Sequence, residues 1–255
     1  MYFSIKAFRI KNVTRSEIIR YLILRSIGNF LVLFAIFGVA ATFGPALYYE
    51  ISFKVIQARG VRYQVYEPNP SAGTSPLGEI LKRQKIGSVK VSGGGFADVL
   101  AGPKEQILIP NDTSFSILIP KLGANAKVFP NIDASDPNQF LPILKEGVAH
   151  AKGTVFPGMK GNIYLFAHST DNFWDVGRYN AIFYLLKDLN PGDEVVIFFQ
   201  NKRHNYVVTG SKVVDPTDVS YITNAQNQDG ETLILQTCWP PGTTWKRWVV
   251  FAKPK

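Results

Sequence analysis

Glu231-Thr-Leu-Ile-Leu-Gln-Thr-Cys-Trp-Pro-Pro-Gly-Thr-Thr-Trp-Lys-Arg-Trp-Val-Val-Phe-Ala252 is the stretch from which the rest of the chain is best read. An apolar run, Leu233 to Leu235, leads to Cys238, the only cysteine among 255 residues. A Pro/Gly-rich turn follows, and Arg247 then opens a second apolar run, Trp248 to Ala252. This is the pattern of two strands joined by a loop. Period-two alternation puts Ile234, Gln236 and Cys238 on one face, and Arg247, Val249 and Phe251 on one face of the partner. Cys238 and Arg247 are therefore expected at the same sheet edge. A guanidinium there favours a thiolate, or an oxyanion formed when the thiol attacks a carbonyl. The competing reading is a buried, inert cysteine beside a surface arginine.

The apolar fraction of 46%, with 13% aromatics, suffices for a packed core. A formal charge of +9 raises the question of nucleic acid. Its distribution answers it: residues 1–50 hold six basic and two acidic residues, a net +4, leaving +5 over the other 205. No dense basic block, RNA-binding motif or zinc-ligand spacing accompanies it, so nucleic acid is not an expected partner. Ser26 to Tyr49 contains no charged residue, enough for one transmembrane helix, with Tyr48 and Tyr49 at an interface position. Six basic residues precede it and predict a cytoplasmic N-terminus (1–25), an anchor (26–49) and export of the remainder. A cleaved signal peptide, with Ala40-Ala41 as the cleavage point, is the alternative.

Residues 50–106 read as a stalk or linker with some order, in which Ile51–Val65 either extends the helix or forms a short strand, with linker chemistry at Pro68–Pro76 and a Gly93-Gly94-Gly95 point. From Ile107 to Lys255 short β runs dominate. Ile107–Ile109 and Phe115–Ile119 suggest a turn-separated strand pair, Val148–Val155 a loop-rich piece, and Asn162–His168 a buried strand ending in histidine. Ile182, Leu185, Leu186 and Leu189 give a short amphipathic helix over 179–189. Glu194–Phe199 and Tyr206–Val214 form a hairpin around Asn201–Asn205. The total is a mainly β domain of about seven or eight strands.

His204 falls in that polar turn and reads as an exposed loop residue. His150 is open to either packing or a site. His168, ending a buried strand before a polar loop, is the better proton-transfer partner for a thiol nucleophile.

Three segments together resemble the sortase family of membrane-anchored cysteine transpeptidases. Gly147–Asn162 leading into Ile163-Tyr-Leu-Phe-Ala-His168 is similar to the catalytic-histidine region, Leu233-Ile-Leu-Gln-Thr-Cys238 to the Leu-x-Thr-Cys signature, and Arg247-Trp-Val-Val-Phe-Ala252 to the arginine strand. The resemblance covers about residues 107–255. It implies a closed β-barrel with short helices behind one N-terminal transmembrane helix. It also implies Cys238 as nucleophile forming a thioacyl intermediate, His168 as general acid/base, and Arg247 as the group holding substrate and oxyanion. Thr237 is carried over as a substrate or oxyanion contact. Implied partners are an LPXTG-like sorting peptide and an amine acceptor on the cell wall or a pilin-like lysine. No cofactor and no metal are implied, and acidic residues such as Asp112, Asp133, Asp136 and Asp171 read as turn caps.

There are departures. Ala167 and Ser169 flank the histidine where many members have Gly and Arg. The nine-residue Cys-to-Arg spacing and the segment around His150 are similar to pilin polymerases. Asp136-Pro137 and Asp215-Pro216 lack the aromatic of their lid, however, and the sequence shows no second apolar run. A housekeeping-like or unclassified single-pass member is expected. The same three residues would also serve a membrane-anchored cysteine hydrolase. An L,D-transpeptidase fits poorly, because His168 and Cys238 lie 70 residues apart. A non-catalytic surface β-domain would leave Cys238 inert.

Overall fold

The computed structural model describes residues 14–66, 105–169, 181–222 and 230–255. They fall into two compact units, one ending at Gly44 and one running from Pro45 to Lys255. The first helix, α1 (Arg15–Ala58), contributes to both. Its start is a capping box: the Glu17 carboxylate accepts from the Thr14 backbone N–H at 2.8 Å. Within it Arg15–Ala41 has a mean hydropathy of 2.1 and is exposed throughout, long and apolar enough to cross a membrane. The helix thus extends beyond the 26–49 stretch at both ends, since Arg and Glu are good helix formers and a charge does not terminate it. Tyr184 and Leu185 bury Phe53 near its other end. Glu50 meets Lys187 at 2.7 Å and the Tyr184 hydroxyl at 3.3 Å.

The stretch Ile51–Val65, expected either to extend the helix or to form a short strand, does both. Strand β1 (Arg62–Val65) pairs in parallel with β2 (Glu105–Leu108), and their Tyr63, Val65 and Leu108 pack on Leu118, Val196 and Phe198. The expected pairing of Ile107–Ile109 with Phe115–Ile119 is therefore not the one formed. Leu108 finds a more complete apolar surface against the outside of the barrel than a local hairpin would give it. Pro68–Pro76 and Gly93–Gly95 lie outside the described residues.

The barrel has eight strands: β3 (Phe115–Ile119), β4 (Ala124–Ile132), β5 (Val148–Ala151), β6 (Gly161–Phe166), β7 (Glu194–Phe199), β8 (Lys202–Val214), β9 (Glu231–Trp239) and β10 (Lys246–Pro254). Their order is β10-β8-β7-β3-β4-β5-β6-β9, closing back on β10. The β4–β5 and β6–β9 pairs are parallel and the others antiparallel. Alternate residues such as Ile117, Ile163, Leu165, Ile197, Leu233, Leu235 and Val250 fill the interior. Phe183, Leu186 and Leu189 join this core from the 3-10 helix Ala181–Asp188, which stands where an α-helix was expected.

The opposite face of β5, β6, β9 and β10 is also covered, which explains their continuous apolar runs. Its lid includes Leu144 and Phe140 of helix α2 (Pro137–Glu146) and Tyr221 with Ile222. Asp136 caps α2 by accepting from the Asn138 N–H at 3.0 Å, and Pro137 occupies the first turn. Asp112 and Asp133 likewise accept from the N–H groups of Ser114 and Ser135, so these carboxylates are turn caps; Asp171 lies outside the described residues.

Two expected loops are strands. Val148–Ala151 is β5, held in parallel to β4. The β7–β8 hairpin turns on Gln200 and Asn201 alone, both at positive φ, so β8 already begins at Lys202. Its Lys-Arg-His-Asn start looks like a polar loop only because half of an outward-facing strand is polar. His204 accordingly sits in β8 opposite Ile197, half-buried beside Gly158.

Candidate active site

Strand β9 organises the site. On one side it pairs with β6 at a constant offset, Ile163 with Leu233 through Phe166 with Gln236. The pairing carries on past β6: the Ala167 N–H donates to the Gln236 carbonyl at 3.2 Å, and the Thr237 hydroxyl donates to the Ala167 carbonyl at 3.1 Å. His168 and Cys238 are the next residues of these two segments. On the other side of β9, Cys238 is directly opposite Arg247 on β10. Neighbouring strands lie about 4.8 Å apart, so Cys238 and Arg247 are close neighbours, and His168 follows the end of the strand that flanks β9 on its other side. Since Leu233 and Leu235 point into the barrel, Cys238 belongs to the outer face, with Ile234 and Gln236. The free thiol, the imidazole and the guanidinium are each partly exposed.

The loop after Cys238 is tied down from both sides. Arg247 Nη1 donates to the carbonyls of Thr244 (3.0 Å) and Lys246 (3.1 Å). The Gly242 N–H donates to the hydroxyl of buried Ser169 at 3.4 Å. Ser169, one of the departures noted in the sequence, thus links the histidine segment to the cysteine loop. Thr237 points the other way: it is 2% exposed, and its hydroxyl is spent on Ala167. A direct side-chain contact between Thr237 and a substrate does not fit this geometry. Its position in the alternation, one residue from Cys238, turns it to the opposite face.

Beneath the Cys238–Arg247 pair lies a row formed by Phe166, Gln236 and Val249. The Gln236 side-chain oxygen accepts from the Tyr164 hydroxyl, in a very short contact, and from the Tyr221 hydroxyl at 3.0 Å. Burial, helped by the adjacent Tyr221, pushes the Tyr164 phenol far up, with Arg247 pulling in the opposite sense. Tyr164 is therefore a neutral donor. Gln236 stood out in the sequence only as a face-mate of Cys238, and Tyr221, in the β8–β9 connection, carried no signal.

His150 is a packing residue. It is fully buried and stacks on Phe156 at 4.6 Å. Its Nδ1 accepts from the Asn131 N–H (3.3 Å) and its Nε2–H donates to the Val155 carbonyl (3.1 Å), which defines a neutral ring.

Residues 117–255 match the family model of the sortase domain. The chain belongs to the sortase family. It is 30% identical over 138 residues to sortase D of Bacillus subtilis (strain 168), a match covering 53% of this chain and 60% of that relative's length. Among solved structures it is similar to the Clostridium perfringens sortase D5 transpeptidase, with 26% identity, 56% of this chain and 79% of that one, and a TM-score of 0.45. Sortase E of Streptomyces avermitilis gives 28% identity, coverage of 55% and 86%, and a TM-score of 0.44. A Clostridium perfringens sortase C solved with the C-terminal cell wall sorting motif gives 24%, 55%, 69% and 0.46 in the same order.

Proposed function

We propose that this chain is a membrane-anchored cysteine transpeptidase acting on the sorting peptides of exported proteins. The observation that carries the reading is the pairing of Cys238 with Arg247 across β9 and β10, with His168 just beyond the end of β6 on the other side of β9. In this reading the Cys238 thiolate attacks the Thr carbonyl of an LPXTG-like peptide. The carbon–nitrogen bond breaks, His168 gives a proton to the departing amine, and a thioester remains on Cys238. An incoming amine then loses a proton to His168, attacks the thioester and restores the thiolate. Arg247 stabilises the oxyanion of each tetrahedral intermediate. To reach it, the guanidinium exchanges one of its loop carbonyls for the reacting oxygen. Thr237 and Ser169 act as positioning residues, fixing the strand and loop around Cys238.

The apolar part of α1 supplies the anchor, with the basic N-terminus inside and the barrel outside. Confinement to one surface raises the concentration of peptide and amine at the site.

The test is incubation of the full chain in detergent micelles with a library of Leu-Pro-Xaa-Thr-Gly peptides and excess amines, read by mass spectrometry. An amine-ligated product is expected, absent with Cys238→Ala. Arg247→Ala should lose about 100- to 1,000-fold in rate. Cleavage without ligation for every amine would assign the same residues to a hydrolase. Absence of both, with Cys238 inert to a mild alkylating reagent, would defeat the catalytic reading.

A further inference from the structure

The row beneath the thiol is apolar at Phe166 and Val249, and between them stands one amide, Gln236. A lone amide in such a row is costly unless its hydrogen bonds are made. Half of that requirement is met: the oxygen receives the Tyr164 and Tyr221 hydroxyls. Tyr221 is itself contacted by Lys212, whose Nζ lies 5.4 Å from the ring centroid. Lys212 is opposite Val249 on β8 and so belongs to the same row. With its oxygen accepting from both hydroxyls, the amide of Gln236 is held between two phenols. Its nitrogen, carrying two N–H donors, takes part in neither.

From these contacts we infer that Gln236 is a substrate-binding residue, whose side-chain N–H donates to a carbonyl or polar side chain of the bound peptide. The inference rests on the peptide-transfer reading above. Gln236 is two residues from Cys238 along β9, about 6.7 Å at the rise of a strand. An extended peptide has nearly the same rise, so the acceptor belongs to the residue two positions from the attacked carbonyl. The ligand chemistry is thus an extended peptide with a hydrogen-bond acceptor there. The Tyr164–Tyr221 pair fixes the donor before the peptide arrives, so little ordering is left to accomplish on binding.

The experiment measures kcat and KM of the full chain in micelles with the best-cleaved Leu-Pro-Xaa-Thr-Gly peptide, for wild type, Gln236→Glu, Gln236→Leu and Tyr221→Phe. Glutamate keeps acceptor oxygens for both tyrosines but loses the donor. A purely structural glutamine would therefore be largely replaced by it. The expected result is a KM raised about 3- to 10-fold in both Gln236 variants with kcat held within about twofold, the pattern of a lost binding contact. Tyr221→Phe frees the amide and should raise KM by a smaller factor. Should Gln236→Leu fail to fold, the glutamate and Tyr221 variants carry the decision. An unchanged KM in Gln236→Glu, or a fall confined to kcat, overturns the inference while leaving the transpeptidase reading intact. A wild type that turns over no peptide removes that reading first, and this inference with it.

Discussion

His150 is enclosed by Phe115, Phe156 and the backbone of two neighbouring segments, with both ring nitrogens engaged. Burial holds its pKa below the ordinary histidine value, while the bond to the Val155 carbonyl pulls the other way. The unfolded chain takes up this proton near pH 6.5 and the folded chain only at lower pH. Between those two values the unfolded state binds more protons, so stability falls as pH falls. From about pH 7.5 to about pH 5.5 the thermal midpoint of wild type should drop by more than that of His150→Gln, measured side by side by circular dichroism. An equal drop would mean that His150 is not the group responsible. The sequence left His150 undecided because its neighbours, two alanines, are silent about whether the position is enclosed. His168 was legible through its place at a strand end. What the sequence could not supply was the β6–β9 register, Phe166 with Gln236, since that depends on a pairing 70 residues away.

At the level of elements, the strands bearing the candidate site were the most legible, because β6, β9 and β10 are continuous apolar runs with clear ends. Pairing partners were less so. Nothing local tells Leu108 to pack on Leu118 from outside the barrel rather than turn back beside Phe115. The β7–β8 turn was hidden because its two left-handed residues are Gln200 and Asn201, without a glycine to mark them. One junction has a sharp requirement. Gly147 joins α2 to β5 in an extended conformation where a Cβ would stand 2.5 Å from the Lys127 carbonyl oxygen. Backbone must move to admit a methyl there, and it is the backbone that starts the parallel β4–β5 pair at Val128 and Val148. Gly147→Ala should therefore destabilise the protein by about 1–3 kcal/mol in urea unfolding of the full chain, the range seen for overpacking. A change within about 0.5 kcal/mol, the range of ordinary surface substitutions, would mean that the junction yields freely.

For the molecule as a whole, a single cysteine doubles as a reporter of sidedness. Cys238 is unpaired and partly exposed. In intact cells carrying the full chain, a membrane-impermeant maleimide should label it without permeabilisation, and Cys238→Ser should abolish the signal. Labelling only after the membrane is opened would put the barrel on the inner side and reverse the proposed topology. The apolar part of α1 was plain in the sequence as an uncharged run. The attachment of the helix's downstream end to the barrel through Glu50, Phe53 and Lys187 was not, because a salt bridge between residues 50 and 187 has no local trace.

The order in which the chain is made gives the parallel β6–β9 pair a temporal meaning. His168 leaves the ribosome first, Cys238 follows after 70 further residues, and Arg247 belongs to β10, the latest of the eight barrel strands to be synthesised. Until β9 slots between β6 and β10, Cys238 lacks the strands that flank it on either side. On the mechanism proposed above, an incompletely translated chain would not yet carry an assembled site. On that mechanism latency needs no inhibitor, because closing the barrel and assembling the proposed site are one event.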